Sequence, residues 1–184
     1  SDAYPAMAER GYGWEKLISE MFCQEYWAER GMKTFIARFH NVYGPYGTWD
    51  GGREKAPAAI CRKVIEAMDK KQMQIKIWGD GHQTRSFQYI DDCLKGIDLI
   101  THCDDLIATP INLGSSELVS INELVSKIER IAGVKLEREY DLTGPRGVAG
   151  RNSDNTFIEQ VLGWQPDTPL DKGLALTFKW IAHQ

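Results

Sequence analysis

The chain has 184 residues, 42% of them hydrophobic and 26% charged, the make-up of a folded domain rather than of a disordered or repetitive segment. Its formal net charge of −4, with no block of lysines and arginines, excludes a general affinity for nucleic acid or for an anionic membrane surface. No apolar run reaches the length of a membrane span and no opening segment reads as a secretory signal, so a cytoplasmic setting is the default.

Residues 12–30 read as a helix, with Leu17, Met21, Phe22 and Tyr26 along one stripe and Gly31 as its stop. The β-branched and aromatic run 33–39 predicts a buried strand, and the glycine-rich stretch 40–52 a long loop. Residues 56–70 read as a helix that tolerates Pro57 in its first turn. A strand at 74–78, a turn, and a strand at 85–90 follow; Asp91 or Asp92 is then expected to cap a helix running to about 103. Residues 109–114 read as a strand. Ser120 and Glu123 have the spacing of a capping box for a helix at 121–132, which Gly133 ends. Residues 135–140 alternate like an exposed strand, 141–152 is a second glycine-rich loop, and helices are expected near 153–162 and 171–182. Strands separated by helices predict an α/β fold with a mainly parallel sheet. The four cysteines, Cys23, Cys61, Cys93 and Cys103, show neither CxxC nor Cys/His metal spacing and read as reduced structural thiols, with no metal site expected.

Six residues carry chemistry by type and placement. Tyr12 and Lys16 stand one helical turn apart on one face. An ammonium beside a phenol favours the phenolate and lowers the tyrosine pKa from about 10, which suits proton exchange with a hydroxyl being oxidised. The same spacing arises by chance in many helices, and alone it would be structural. Arg38 and Asn41 fall at the C-terminal end of a strand, where α/β sheets bind ligands. Arg85 follows a tight turn and Arg151 lies in a loop. An arginine from each of two loops suits a diphosphate, because guanidinium groups hold phosphate oxygens in a bidentate fashion; either one taken singly reads as a solvated surface residue.

The stretches YGWEK, ARFHNVYGPYGTWDGGREKAPAA, WGDGHQTRSFQYIDD, INLGSSELVSINEL and GRNSDNTFIEQVLGWQP together resemble the C-terminal portion of the extended short-chain dehydrogenases/reductases, in the NAD-dependent nucleotide-sugar epimerase/dehydratase group. The resemblance covers essentially the whole chain. GTWDGGREKAP with WGDGHQTRSF is similar to the type that inverts C3 and C5 of a GDP-sugar. The resemblance implies the end of a Rossmann-type parallel-sheet domain over 1–53 and a smaller α/β substrate-binding domain over 54–184, with 84–105 returning to the first. It implies that Tyr12 exchanges the proton of the sugar C4 hydroxyl while hydride passes to NAD, that Lys16 tunes Tyr12 and holds the nicotinamide ribose, and that His40 also contacts the cofactor. Lys55 is implied as the general acid of the inversion, and Asn41, Glu54, Lys55, Arg85 and Arg151 as substrate contacts, the two arginines on the GDP diphosphate. A C4 ketone acidifies the C–H groups on both sides, so an acid opposite a base is what inversion requires. A lysine serves if burial and cations such as Arg53 lower its pKa, although a cation at a helix start opposes the helix dipole.

GDP-mannose and GDP-L-galactose are the implied substrate and product. The alternatives are a nucleotide-sugar 4-epimerase or 4,6-dehydratase, which has no need of Lys55, and a non-catalytic sugar-nucleotide binding or assembly module. The family type carries an arginine where this chain has Ala149, with Arg146 as a nearby replacement. No G-x-x-G-x-x-G follows a strand, so the dinucleotide-binding units and the cysteine base are expected ahead of Ser1, and the chain by itself is expected to be inactive. A homodimer through the helix bearing Tyr12, or pairing with the other half of the NAD domain, is the implied partnership. The stripe of Leu17, Met21 and Phe22 fits that interface or, alternatively, the core.

Overall fold

The computed structural model describes residues 10–143 and 150–184, so the reading of Arg146 and Ala149 falls outside the described residues. In chain order the elements are α1 (Arg10–Arg30), β1 (Ile36–Phe39), β2 (Asn41–Tyr43), α2 (Ala56–Asp69), β3 (Gln74–Trp78), β4 (Thr84–Tyr89) and α3 (Ile90–Thr101). A 3-10 turn (Asp104–Leu106) leads to β5 (Pro110–Leu113), β6 (Leu118–Ser120), α4 (Ile121–Ala132), β7 (Glu137–Asp141), β8 (Gly150–Arg151), α5 (Thr156–Leu162) and α6 (Leu170–Ile181). The strands pair in parallel as β1 with β5, β2 with β4, β8 with β4 and β3 with β7; β6 runs antiparallel to β4. This is the expected α/β architecture with mainly parallel pairing, the strands being divided among three sheets: β1–β5, β2–β4–β6 with β8, and β3–β7.

Local chemistry accounts for the best-defined boundaries. The Ser120 hydroxyl accepts from the Glu123 amide at 3.2 Å, and the Glu123 carboxylate accepts from the Ser120 amide at 2.8 Å, closing the capping box that starts α4. Gly133 ends the helix in the left-handed conformation, φ 69°. On α2, Ile60, Cys61, Val64 and Ala67 fall on one face and are buried. They join Leu124, Val125 and Ile128 of α4 and Leu174 of α6 in the larger apolar core. A smaller core gathers Cys93 and Ile100 of α3, Ile111 and Leu113 of β5, and Ile158 of α5, with Ala37 of β1 packed against it.

Four expectations are corrected. Of the two readings of the Leu17, Met21, Phe22 and Tyr26 stripe, the core one is set aside, since Met21, Phe22 and Tyr26 are exposed; α1 turns Gly13, Leu17, Glu20, Cys23 and Gln24 toward the rest of the chain. The reason is polar. Arg38 grips Glu20 through Nε at 2.8 Å and Nη2 at 2.6 Å, and the Thr34 hydroxyl donates to the Cys23 carbonyl at 2.9 Å. Second, the stretch 40–52 is not all loop, since β2 occupies 41–43 by pairing with β4. Third, neither Asp91 nor Asp92 caps α3, because Tyr89 stands at that position. Asp92 is instead buried and accepts from the Thr168 amide and hydroxyl, both at 2.9 Å, tying α3 to the segment before α6. Fourth, the helix expected from 153 begins at Thr156. Among the described residues no helix is long and apolar enough to cross a membrane.

Candidate functional site

The backbone turns from one sheet to the next at His40. Its amide donates to the Leu113 carbonyl at 3.1 Å, the last bond to β5, and from Asn41 onward the chain pairs with β4. A cleft of about 1480 Å³ opens where the two sheets part, lined among others by Tyr12, His40, Asn41, Lys55, Arg85 and Arg151. Six of the eight residues singled out in the sequence thus meet in one concavity, from α1, the β1–β2 bend, the start of α2, β4 and β8.

Arg151 does not sit in a loop as expected, and Arg85 lies in β4, in line with the strand read over 85–90. They are directly opposed partners in the β4–β8 register. Thr84 opposes Gly150 in the same ladder, and a Cβ on Gly150 would stand 2.6 Å from the Thr84 hydroxyl, so β8 approaches this closely only with glycine there. Like charges opposed across strands repel. Neither arginine has a carboxylate partner among the described residues; Arg85 donates only to the Thr84 carbonyl, at 2.6 Å. Two arginines opposed in one ladder, with no carboxylate partner among the described residues, can hold a polyanion.

His40 lies beside this pair. Burial, reinforced by the charge of Arg151, holds its imidazole below the usual value of 6.5, so it is neutral at neutral pH. A Cβ on Gly114 would meet the His40 Cβ at 2.6 Å, which leaves only glycine at the position backing the ring. Asn41 is steadied by a bond from its amide nitrogen to the Ser86 carbonyl at 3.3 Å.

Tyr12 is 74% exposed at the cleft margin, with the Lys16 ammonium 5.2 Å from its ring centroid. Lys16 also pairs with Glu15 at 3.2 Å and does not line the cleft. Lys55 holds the N-cap position of α2 and is exposed rather than buried. Glu54 does not line the cleft either: its side chain, 6% exposed, turns to Arg62 at 2.9 Å.

Sequence reasoning missed Ser153, Asn155 and Gln165 on the cleft wall. The Asn155 amide nitrogen donates to the Gly114 carbonyl at 3.0 Å and to the Gln165 side chain at 3.3 Å, while its Oδ1 has no partner. The Ser153 hydroxyl is buried and equally unpartnered. An orphaned buried polar atom costs about 1–3 kcal/mol, and a polar ligand in the cleft would relieve that cost. The available signal was the polar run RNSDN, too rich in hydrogen-bonding side chains for the first turns of an ordinary core helix.

The family model described as NAD dependent epimerase/dehydratase family matches residues 1–114. A curated relative, GDP-mannose 3,5-epimerase of Arabidopsis thaliana, is 47% identical over all 184 residues, which make up 47% of that protein. The chain spans about half the length of the curated relatives it matches. Among solved structures, the UDP-glucose 4-epimerase of Thermotoga maritima, determined with UDP-glucose, superposes with a TM-score of 0.82 at 27% identity, covering 94% of this chain and 53% of that one. An epimerase from Methanothermobacter thermautotrophicus, at 22% identity and a TM-score of 0.83 over 97% of this chain and 52% of that one, shares the fold.

Proposed function

The chain belongs to the NAD dependent epimerase/dehydratase family, and we propose that it carries the substrate side of a GDP-sugar 3,5-epimerase converting GDP-mannose to GDP-L-galactose. The observation that carries this reading is the opposed pair Arg85 and Arg151, without carboxylate partners, in one cleft with Tyr12 and Lys55. In this reading the two arginines hold the GDP diphosphate and Asn41 holds the sugar. Tyr12 takes the C4 hydroxyl proton during oxidation and returns it on reduction, with the Lys16 ammonium 5.2 Å from its ring centroid. With a ketone at C4, the C3 and C5 protons become acidic, and Lys55 delivers a proton to the inverting carbon. Glu54 acts through its neighbour rather than by touching the sugar, since its carboxylate is turned to Arg62.

The phenol–ammonium pair and the neutral ring of His40 fit the nicotinamide–ribose end of NAD, because an uncharged imidazole adds no second positive charge beside the nicotinamide. NAD bound there would supply the hydride acceptor for oxidation at C4 and the donor for its reduction. We assign only this end of the dinucleotide to the described residues. The division at 53/54 is supported by the loop that separates β2 from α2, and the return of 84–105 by the packing of α3 and β1 in the smaller core. Exposed Trp14, Ile18, Phe22 and Trp27 on α1 support an interface along that helix, with a second copy or with the other half of the NAD domain. Four free cysteines suit the cytoplasm.

The test uses the full-length protein in deuterated solvent. Lys55→Ala should retain hydride exchange at C4 and lose deuterium uptake at C3 and C5; normal uptake would overturn the role of Lys55. A wild-type protein that inverts C4 and takes up no deuterium at C3 or C5 is a 4-epimerase instead.

A further inference from the structure

Lys55 reaches the cleft at the end of a loop, residues 44–55, whose backbone does little to hold itself. Gly44, Tyr46, Gly51 and Gly52 all have positive φ, at 152°, 64°, 85° and 82°. Among the described residues, Gly47 N to Gly44 O at 3.4 Å is the one backbone hydrogen bond closed within it. A loop of this kind takes its order from side chains.

One side chain supplies most of it. Arg62, on α2 and outside the cleft lining, donates from Nε to the Trp49 carbonyl at 3.2 Å and from Nη2 to Glu54 Oε1 at 2.9 Å. Nη1 donates to Glu66 Oε1 at 2.7 Å, one turn along the same helix, and Asp50 stands 3.6 Å from Nε. The planar guanidinium is thus locked to its own helix on one side and grips both ends of the 49–54 segment on the other. Its side chain is only 20% exposed and that of Glu54 only 6%, so the contact is shielded from solvent screening. A lysine ammonium is a point charge and cannot hold these partners in one plane. Residue 54, where the grip ends, is followed directly by Lys55.

We propose that Arg62 is a positioning residue for Lys55, fastening the glycine-rich loop at Trp49 and Glu54 so that the Lys55 ammonium is presented to the cleft. The inference rests on the assignment of Lys55 as the acid of the inversion, and it separates Arg62 from the cations that touch substrate.

The experiment compares full-length wild type with Arg62→Lys and Arg62→Ala. Arg62→Lys keeps a cation beside buried Glu54 and gives up the fork. Its C3/C5 deuterium uptake should fall about tenfold to a hundredfold relative to C4 hydride exchange, the scale expected when a catalytic group is misplaced by about 1 Å, with KM for GDP-mannose nearly unchanged. A merely structural role would lower uptake and hydride exchange together by reducing the folded fraction, and that unchanged ratio would overturn the proposal. If Arg62→Ala does not fold, Arg62→Lys and Glu54→Gln carry the comparison. Amide hydrogen exchange over residues 49–54 gives a readout besides activity: faster exchange in Arg62→Lys supports the tether, and wild-type protection there overturns it. A wild type without C3/C5 uptake would instead refute the epimerase reading, and with it this role of Arg62.

Discussion

Replacing Arg151 by alanine should weaken nucleotide binding while leaving the ligand-free chain as stable as before, or more so. Arg151 and Arg85 are opposed across adjacent strands, which lie about 4.8 Å apart. Two unit charges as close as the strands would repel by about 3 kcal/mol at an effective dielectric of about 20, an upper bound for guanidinium groups at the ends of long side chains. Arg151 is exposed, and solvent screening reduces the figure to about 1 kcal/mol. Removing one charge relieves that repulsion in the free protein. In the complex it deletes a charge-assisted hydrogen bond to phosphate, worth about 1.5–3 kcal/mol, so the GDP dissociation constant should rise about 10-fold to 100-fold. Calorimetric titration with GDP and urea unfolding without nucleotide measure the two halves. Arg151→Lys, which keeps the charge and loses the fork, should fall between wild type and alanine in affinity. Wild-type affinity in Arg151→Ala, or a stability loss above about 1 kcal/mol without nucleotide, would refute the counter-ion reasoning.

His40 and Asp92 give two further tests. Burial, helped by Arg151, lowers the His40 pKa in the folded state, so the unfolded chain binds the proton first as pH falls. The stability this contributes is complete above about 6.5 and is lost as pH falls through the folded value, so His40→Gln should flatten the denaturation midpoint between about pH 7 and pH 5. An equally steep acid limb in the variant would exclude His40 as its source. Asp92→Ala strands the Thr168 amide and hydroxyl that the carboxylate now receives, and should cost about 2–3 kcal/mol in urea unfolding, with Asp92→Asn losing less. A loss under about 0.5 kcal/mol would mean that the segment before α6 is held by other contacts.

Elements encoded by neighbouring residues were legible in the sequence. The Ser120–Glu123 box and Gly133 bracket α4 by bonds spanning three or four positions, and α2 shows its buried face as a plain periodicity. The face of α1 was not legible, because an apolar stripe ordinarily marks the buried side, whereas here the helix is fastened by Glu20 to an arginine 18 positions away. The strands β2, β6 and β8 have only two or three residues, too few to display an alternating pattern, and exist because β4 offers them an edge. That is why Arg151 read as a loop residue: β8, the strand that pairs it with Arg85, has no local signature.

The identity of the site residues was more legible than their grouping, and charge pairing explains the difference. In sequence, all the arginines look alike. In the fold they divide by partner. Arg38 sits on Glu20, Arg62 on Glu54 and Glu66, and Arg138 on Glu129, each at 3.4 Å or less. These cations hold elements together, and of their carboxylates Glu20, Glu54 and Glu129 are largely shielded from water. Arg85 and Arg151 have no such partner among the described residues, in a chain with 26 acidic side chains against 22 lysines and arginines. With an excess of acids available, leaving two adjacent arginines unpaired is a cost that local folding does not require. A ligand bearing at least two negative charges removes it. Among the described residues Arg30, Arg53 and Arg130 also lack a carboxylate partner, so what sets Arg85 and Arg151 apart is their opposition in one ladder at the cleft, a β4–β8 register that a single sequence does not display.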